Sequence, residues 1–145
     1  MTVEDIKQIL DAFYKAKRIR DMLPELPEGV SPSYVRFLDA IEKLQRANGS
    51  VKISDLSAKL RLQPPGVTRT VKEMEEKGFL AKQTSPDDGR VTYITITESG
   101  AALSEEFNTR VFESLGAKLP DISQQDAETV IRVIERFYAV MSGEE

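Results

Sequence analysis

The chain has 145 residues, 40% of them hydrophobic and 30% charged, with a mass of 16.3 kDa and mean hydropathy of −0.34. That is one domain's length, with enough apolar side chain for a sizeable core and enough charge to stay in water. It contains neither cysteine nor histidine. Disulfides, thiolate nucleophiles, Cys/His zinc sites and Ser-His-Asp triads are therefore excluded, and no catalytic, metal or cofactor site is expected.

Thr2 caps a first amphipathic helix, with Ile6, Ile9, Leu10, Phe13, Ala16 and Ile19 on one face, running to about Met22. Its acidic start and the lack of an apolar stretch lead us to expect no signal peptide. The longest apolar run, Phe137 to Met141, is five residues, far short of the ~20 of a membrane span. A cytoplasmic protein with no membrane partner is expected.

Pro24, Pro27 and Gly29 then enforce an extended connector. Ser31-Pro32 opens a second helix with Val35, Leu38, Ile41 and Leu44 at helical spacing, stopped by Asn48-Gly49. Val51-Lys52-Ile53 is β-prone, and Ser54 is the expected cap of a brief helix carrying Leu56 and Leu60. A break from Leu62 to Pro65 leads into a helix with Val67, Val71 and Met74 inward, ending at Lys77-Gly78. Two helices joined by so tight a break form a helix-turn-helix candidate.

The segments 79–84 and 91–96, separated by Ser85-Pro86-Asp87-Asp88-Gly89-Arg90, read as a hairpin. Thr97 caps a long helix with Leu103, Phe107, Val111 and Leu115 at four-residue spacing, and Ser123 caps a last one with Ala127, Val130, Ile131, Ile134, Phe137, Tyr138 and Met141 on one side.

Charge follows this order. The net charge of −4 argues on its own against a polyanion partner. Yet residues 1–58 balance, residues 59–90 hold seven basic groups against five acidic, and residues 91–145 hold four against ten. Only the helix-turn-helix and hairpin region is basic.

The stretch from Ile53 to Gly100 resembles the MarR family of winged helix-turn-helix regulators. Leu56-Ser57-Ala58-Lys59-Leu60 resembles the first helix of that motif, and 67–80 its recognition helix and the start of its wing. Asp88-Gly89-Arg90 fits the Asp-x-Arg wing signature, and Ile96-Thr97-Glu98-Ser99-Gly100 the helix that follows. Four matches in order make the resemblance specific. It implies a mainly α fold with a small β-hairpin wing: one domain over 1–145, a winged helix-turn-helix over 32–96, and dimerisation helices over 1–22 and 98–142. It also implies a dimeric, sequence-specific DNA-binding protein, usually a repressor, released from an inverted-repeat operator by a small aromatic or anionic ligand.

Residue chemistry nominates the contacts. With Val67, Val71 and Met74 inward, Pro65, Gly66, Thr68, Arg69, Lys72 and Glu73 turn outward. Arg69 suits guanine through its forked guanidinium, and Thr68 suits a base edge or thymine methyl. Lys59, Arg61, Lys72 and Lys82 suit phosphates. On loop composition alone, Arg90 is an exposed arginine on a solvated turn. Beside a helix-turn-helix it becomes a minor-groove probe, with Asp88 placed to steady it.

Pro64-Pro65-Gly66 and Gly89 depart from the family pattern, and Gly66 costs ~1 kcal/mol of helix stability relative to Ala. By resemblance, Tyr14, Arg18, Tyr34 and Phe37 are the candidate effector contacts, with ordinary core packing the competing account. A winged-helix adaptor that binds protein instead of DNA is the alternative function.

Overall fold

The structure, a computed structural model, describes residues 1–144. The first helix, α1, spans Val3–Asp21 and is capped by Thr2 as expected, within a capping box: the Asp5 amide donates to Thr2 Oγ1 at 3.1 Å and the Thr2 amide to Asp5 Oδ2 at 2.7 Å. These bonds hold the Asp5 carboxyl below its ordinary range. Helix α2, Pro32–Asn48, begins on Ser31 with proline at its first position and ends on Gly49 at φ 77°, the left-handed stop that glycine adopts without a Cβ clash.

Helix α3, Ile53–Leu60, corrects two expectations. No strand forms at 51–53; among the described residues the one backbone link to the hairpin is the Val51 carbonyl, which accepts from the Ile94 amide at 2.8 Å. The cap is Lys52 rather than Ser54, because the Asp55 carboxylate reaches back to accept from the Lys52 amide at 2.9 Å. Helix α4, Pro64–Glu76, follows after a short turn. Strands β1, Leu80–Thr84, and β2, Thr92–Ile96, form an antiparallel hairpin in which Leu80 pairs with Ile96 and Thr84 with Thr92.

Helix α5, Glu98–Ser104, leaves the hairpin through Thr97. The Thr97 hydroxyl accepts from the Gly100 amide at 3.1 Å and donates to the Gly78 carbonyl at 2.6 Å. Gly100 is required there, since a Cβ would overlap the Phe79 carbonyl oxygen.

One core unites these pieces. Tyr34, Phe37, Leu38 and Ile41 of α2, Val51, Leu56 of α3, Val67, Val71 and Met74 of α4, Leu80, Ile94 and Leu103 are all buried. Such interlocking is how a winged helix is stabilised without disulfides or metal. It fixes α4 so that one stripe faces inward and the opposite stripe faces water.

The backbone divides into two compact units, Met1–Ser104 and the residues from Glu105 onward. In the second, Glu105–Arg110 is wound as a π-helix and is followed by α6, Val111–Gly116. The long helix expected from Thr97 is thus interrupted. A four-residue repeat gains about 40° per step on an α-helix of 3.6 residues per turn, a drift that wider winding reduces. Helix α7, Gln124–Ser142, is capped by Ser123 as expected, within a capping box: the Asp126 amide donates to Ser123 Oγ at 3.1 Å and the Ser123 amide to Asp126 Oδ2 at 2.9 Å. Among the described residues no helix is long and apolar enough to cross a membrane.

Candidate nucleic-acid interface

Prolines at the first two helical positions set the start of α4. They are pre-shaped for a helical turn and contribute no N–H. The first amides, Gly66 and Val67, bond to the Gln63 carbonyl at 3.1 and 3.3 Å. The far end closes with Gly78 at φ 82°, the Phe79 amide donating to the Met74 carbonyl at 2.9 Å and the Gly78 amide to that of Glu75 at 3.0 Å, which is the Schellman pattern.

Between these ends Val67, Val71 and Met74 are fully buried, whereas Pro65, Thr68, Arg69 and Lys72 are exposed and Gly66 is half-buried. A Cβ at Gly66 would meet nothing in the chain. Among the described residues, the side chains of Arg69, Lys72, Lys59 and Arg61 have neither hydrogen bond nor ion pair. Glu73 is exposed as well, but unlike Arg69 and Lys72 it is engaged within the chain. Its carboxylate accepts from the Tyr34 hydroxyl at 3.1 Å, on the flank of α4.

The turn between α3 and α4 places Arg61 at φ 53°, ψ 43°, the one left-handed non-glycine among the described residues. A side chain there crowds the backbone. Lys82 on β1 lies 3.9 Å from Glu75 Oε1, a long surface pairing of little energetic consequence.

The hairpin tip is internally braced. Ser85 Oγ accepts from the Asp87 and Asp88 amides at 3.3 and 3.4 Å, and the Ser85 amide donates to the Val91 carbonyl at 2.8 Å. Asp88 then grips Arg90 three times: its Oδ1 accepts from the Arg90 amide at 3.0 Å and from Nε at 3.2 Å, and its Oδ2 from Nη2 at 3.3 Å. These bonds hold the Asp88 carboxyl below the usual carboxylate range. The Arg90 side chain remains 91% exposed, so the grip sets its direction without taking it from solvent.

The four effector candidates fall into two environments. Tyr34 and Phe37 are buried in the winged core, at 4% and 3% exposure, while Tyr14 and Arg18 are exposed on α1. Burial and the Glu73 bond push the Tyr34 hydroxyl above its ordinary range, so it stays a donor at neutral pH. Among the described residues no acidic group is arranged to hold a metal ion.

Two features escaped sequence reasoning. One is the Tyr34–Glu73 bond. The other is Lys77, whose ammonium bonds to the Gly29 carbonyl instead of serving only the end of α4. Gly29 sits at φ 79° in what the sequence reads only as an extended connector, and no local signal names a partner 48 residues away.

Comparison with known proteins agrees with this geometry. Residues 38–92 match the MarR family. The chain is 28% identical over 108 residues to YdgJ of Bacillus subtilis, described as an uncharacterized HTH-type transcriptional regulator, with 74% of this chain and 63% of YdgJ aligned. It therefore spans less than two thirds of that relative. Among solved structures, Streptococcus pneumoniae FabT in complex with DNA superposes with a TM-score of 0.68 at 17% identity, covering 99% of this chain and all of FabT. A MepR-like protein complexed with pseudoligands superposes at 0.60 and 25% identity, covering 99% of each chain.

Proposed function

We propose that the chain, whose residues 38–92 match the MarR family, is a cytoplasmic, sequence-specific DNA-binding transcriptional regulator of that family. In this reading two copies form a homodimer that represses from an inverted-repeat operator and is released by a small aromatic or anionic effector. The carrying observation is the outer face of α4. Thr68, Arg69 and Lys72 stand exposed on a helix rigidly backed by Val67, Val71 and Met74, and the two cations have no protein partner.

Leaving cations unsatisfied on a fixed helix suits a major groove, where Arg69 reads guanine and Thr68 a base edge or thymine methyl. Lys59, Arg61, Lys72 and Lys82 then engage phosphates around it. Pro65 and Gly66 make the first turn slim enough for close approach. Arg90, aimed by Asp88, enters the minor groove.

Dimerisation through residues 1–22 and 98–142 is supported by apolar side chains at Leu10, Ile19, Ile131, Ile134 and Tyr138, each at least 40% exposed in one chain. A two-fold dimer matches a two-fold site, with half-sites about one helical turn apart. The effector reading draws on the MepR-like complex and on the exposed Tyr14 and Arg18 of α1. The buried Tyr34 and Phe37 would reach a ligand only by rearrangement of the winged core.

Selection from random DNA, followed by affinity measurement across a salt series and footprinting, tests the proposal. Expected are an enriched inverted repeat, paired protected segments and a steep fall of affinity with salt from counterion release. Absence of salt-dependent retention would favour the adaptor.

A further inference from the structure

The contacts on the flank of α4, away from Arg69 and Lys72, converge on one tyrosine. Tyr34 donates to Glu73 at 3.1 Å. One turn further along α4, the Lys77 ammonium lies 5.5 Å from the centroid of the same ring, within cation–π reach. That ammonium also donates to the Gly29 carbonyl at 2.5 Å. Gly29 is left-handed at φ 79°, and a Cβ there would come within 3.4 Å of Lys77 Nζ. Phe79, just past the helix, completes the cluster with its ring 6.3 Å from that of Tyr34.

We propose that Tyr34 and Lys77 are positioning residues that clamp the C-terminal half of α4, through Tyr34 to the start of α2 and through Lys77 to the connector over residues 23–30, so that the connector helps set the direction in which Thr68, Arg69 and Lys72 face DNA. Glu73 and Lys77 are four residues apart and share a helix face. One contact on that face would let the helix roll on its packed stripe; two contacts a turn apart resist the roll. Pro24 and Pro27 stiffen the connector, so a displacement at the end of α1 travels to Gly29 instead of being absorbed. The clamp is thus a physical route by which an event at α1 reaches the recognition helix, carried by named contacts rather than by proximity. Its consequence for DNA rests on the function proposed above; the clamp itself does not.

Native-state hydrogen exchange tests it on the whole chain without DNA. Lys77→Met keeps the methylene stem and removes the ammonium. The expected result is exchange about tenfold faster at the Val30 amide, which bonds to the Pro27 carbonyl at 3.1 Å, and in the last turn of α4. Affinity for a selected operator should fall about five- to tenfold with an unchanged salt slope, and Lys77→Arg should restore both. Tyr34→Phe, which spares the ring and loses only the hydroxyl, should give a smaller exchange change confined to α4. Unaltered exchange at Val30 in Lys77→Met would overturn the clamp. So would a shallower salt slope, which would make Lys77 a phosphate contact. An exchange response in a protein that retains no DNA would uphold the clamp and overturn the DNA reading instead.

Discussion

In the winged segment Leu38, Ile41, Leu56, Val67, Val71 and Met74 are completely covered, whereas α1 and α7, with apolar stripes of the same period, bury no residue at all. Both regions were equally legible as amphipathic helices. The difference teaches that periodicity identifies a face in need of cover without saying what covers it. For α2, α3 and α4 the cover lies within the same chain. For α1 and α7 the dimer proposed above would supply it from a second copy, which would make the winged segment's stability local and that of the terminal helices concentration-dependent.

The largest effect should come from opposing lesions in the two regions. Met74→Ala empties a fully buried site and should cost about 2–5 kcal/mol of stability, whatever the protein concentration. Ile134→Glu should leave the winged segment folded and convert a species of twice 16.3 kDa to one of 16.3 kDa on sedimentation at micromolar concentration. A wild-type chain that sediments as a monomer with full helicity would end the dimer proposal.

A second lesion sharpens the contrast inside the winged segment. Gly100→Ala drives a Cβ into the Phe79 carbonyl, at the junction where Thr97 ties α5 to the end of α4. Overpacking of this kind costs about 1–3 kcal/mol. Thermal unfolding should show the loss, while Gly116→Ala, where a Cβ meets nothing, should be neutral or stabilising.

These lesions also mark how far sequence reaches. Thr2, Ser31, Ser123, Gly49 and the hairpin turn were readable because caps and turns are settled within about four residues. Ser54 is not the cap because the Asp55 carboxylate reaches back to the Lys52 amide and starts the helix two residues earlier, at Ile53. The π-helical stretch was hidden inside an otherwise regular repeat. The roles of Gly100, Tyr34 and Lys77 lie beyond local pattern altogether, since each depends on a backbone or side chain brought from another element. At the interface, exposure of Arg69 followed from the buried stripe alone, whereas the threefold grip of Asp88 on Arg90 needed the folded turn.

Within the DNA face, Arg69 and Arg90 should fail differently. Arg69→Ala should cost roughly 1–3 kcal/mol and relax base preference at one position of each half-site. Arg90→Ala should weaken binding across many sequences and lower the salt slope, with Asp88→Ala a milder version. Affinities for single-base operator variants at several salt concentrations separate the two. The Asp88 carboxyl is held below its unfolded value, so its grip is present above that value and is lost only as pH falls through the lower one. Arg90's contribution should accordingly stay constant from about pH 5 to 9. If Arg90→Ala changes neither affinity nor slope, the hairpin is not a wing that touches DNA.

The smallest effect is the most discriminating, because stability and function should move in opposite directions. Arg61 holds a left-handed backbone at φ 53°, where an ordinary side chain costs roughly 1–2 kcal/mol and glycine does not. Nothing in the chain compensates through the arginine side chain, which has no partner among the described residues. Strain kept at an exposed cation beside α4 makes sense if the guanidinium is used by something outside the chain. Arg61→Gly should therefore leave thermal stability unchanged or slightly raised, the relief of strain being offset by the greater freedom of glycine in the unfolded chain. It should weaken DNA binding uniformly across sequences and lower the salt slope by about one. Equal affinity for the glycine variant would remove Arg61 from the phosphate contacts and leave its left-handed backbone without a functional reason, while a marked loss of stability would show that the arginine stem packs against the turn.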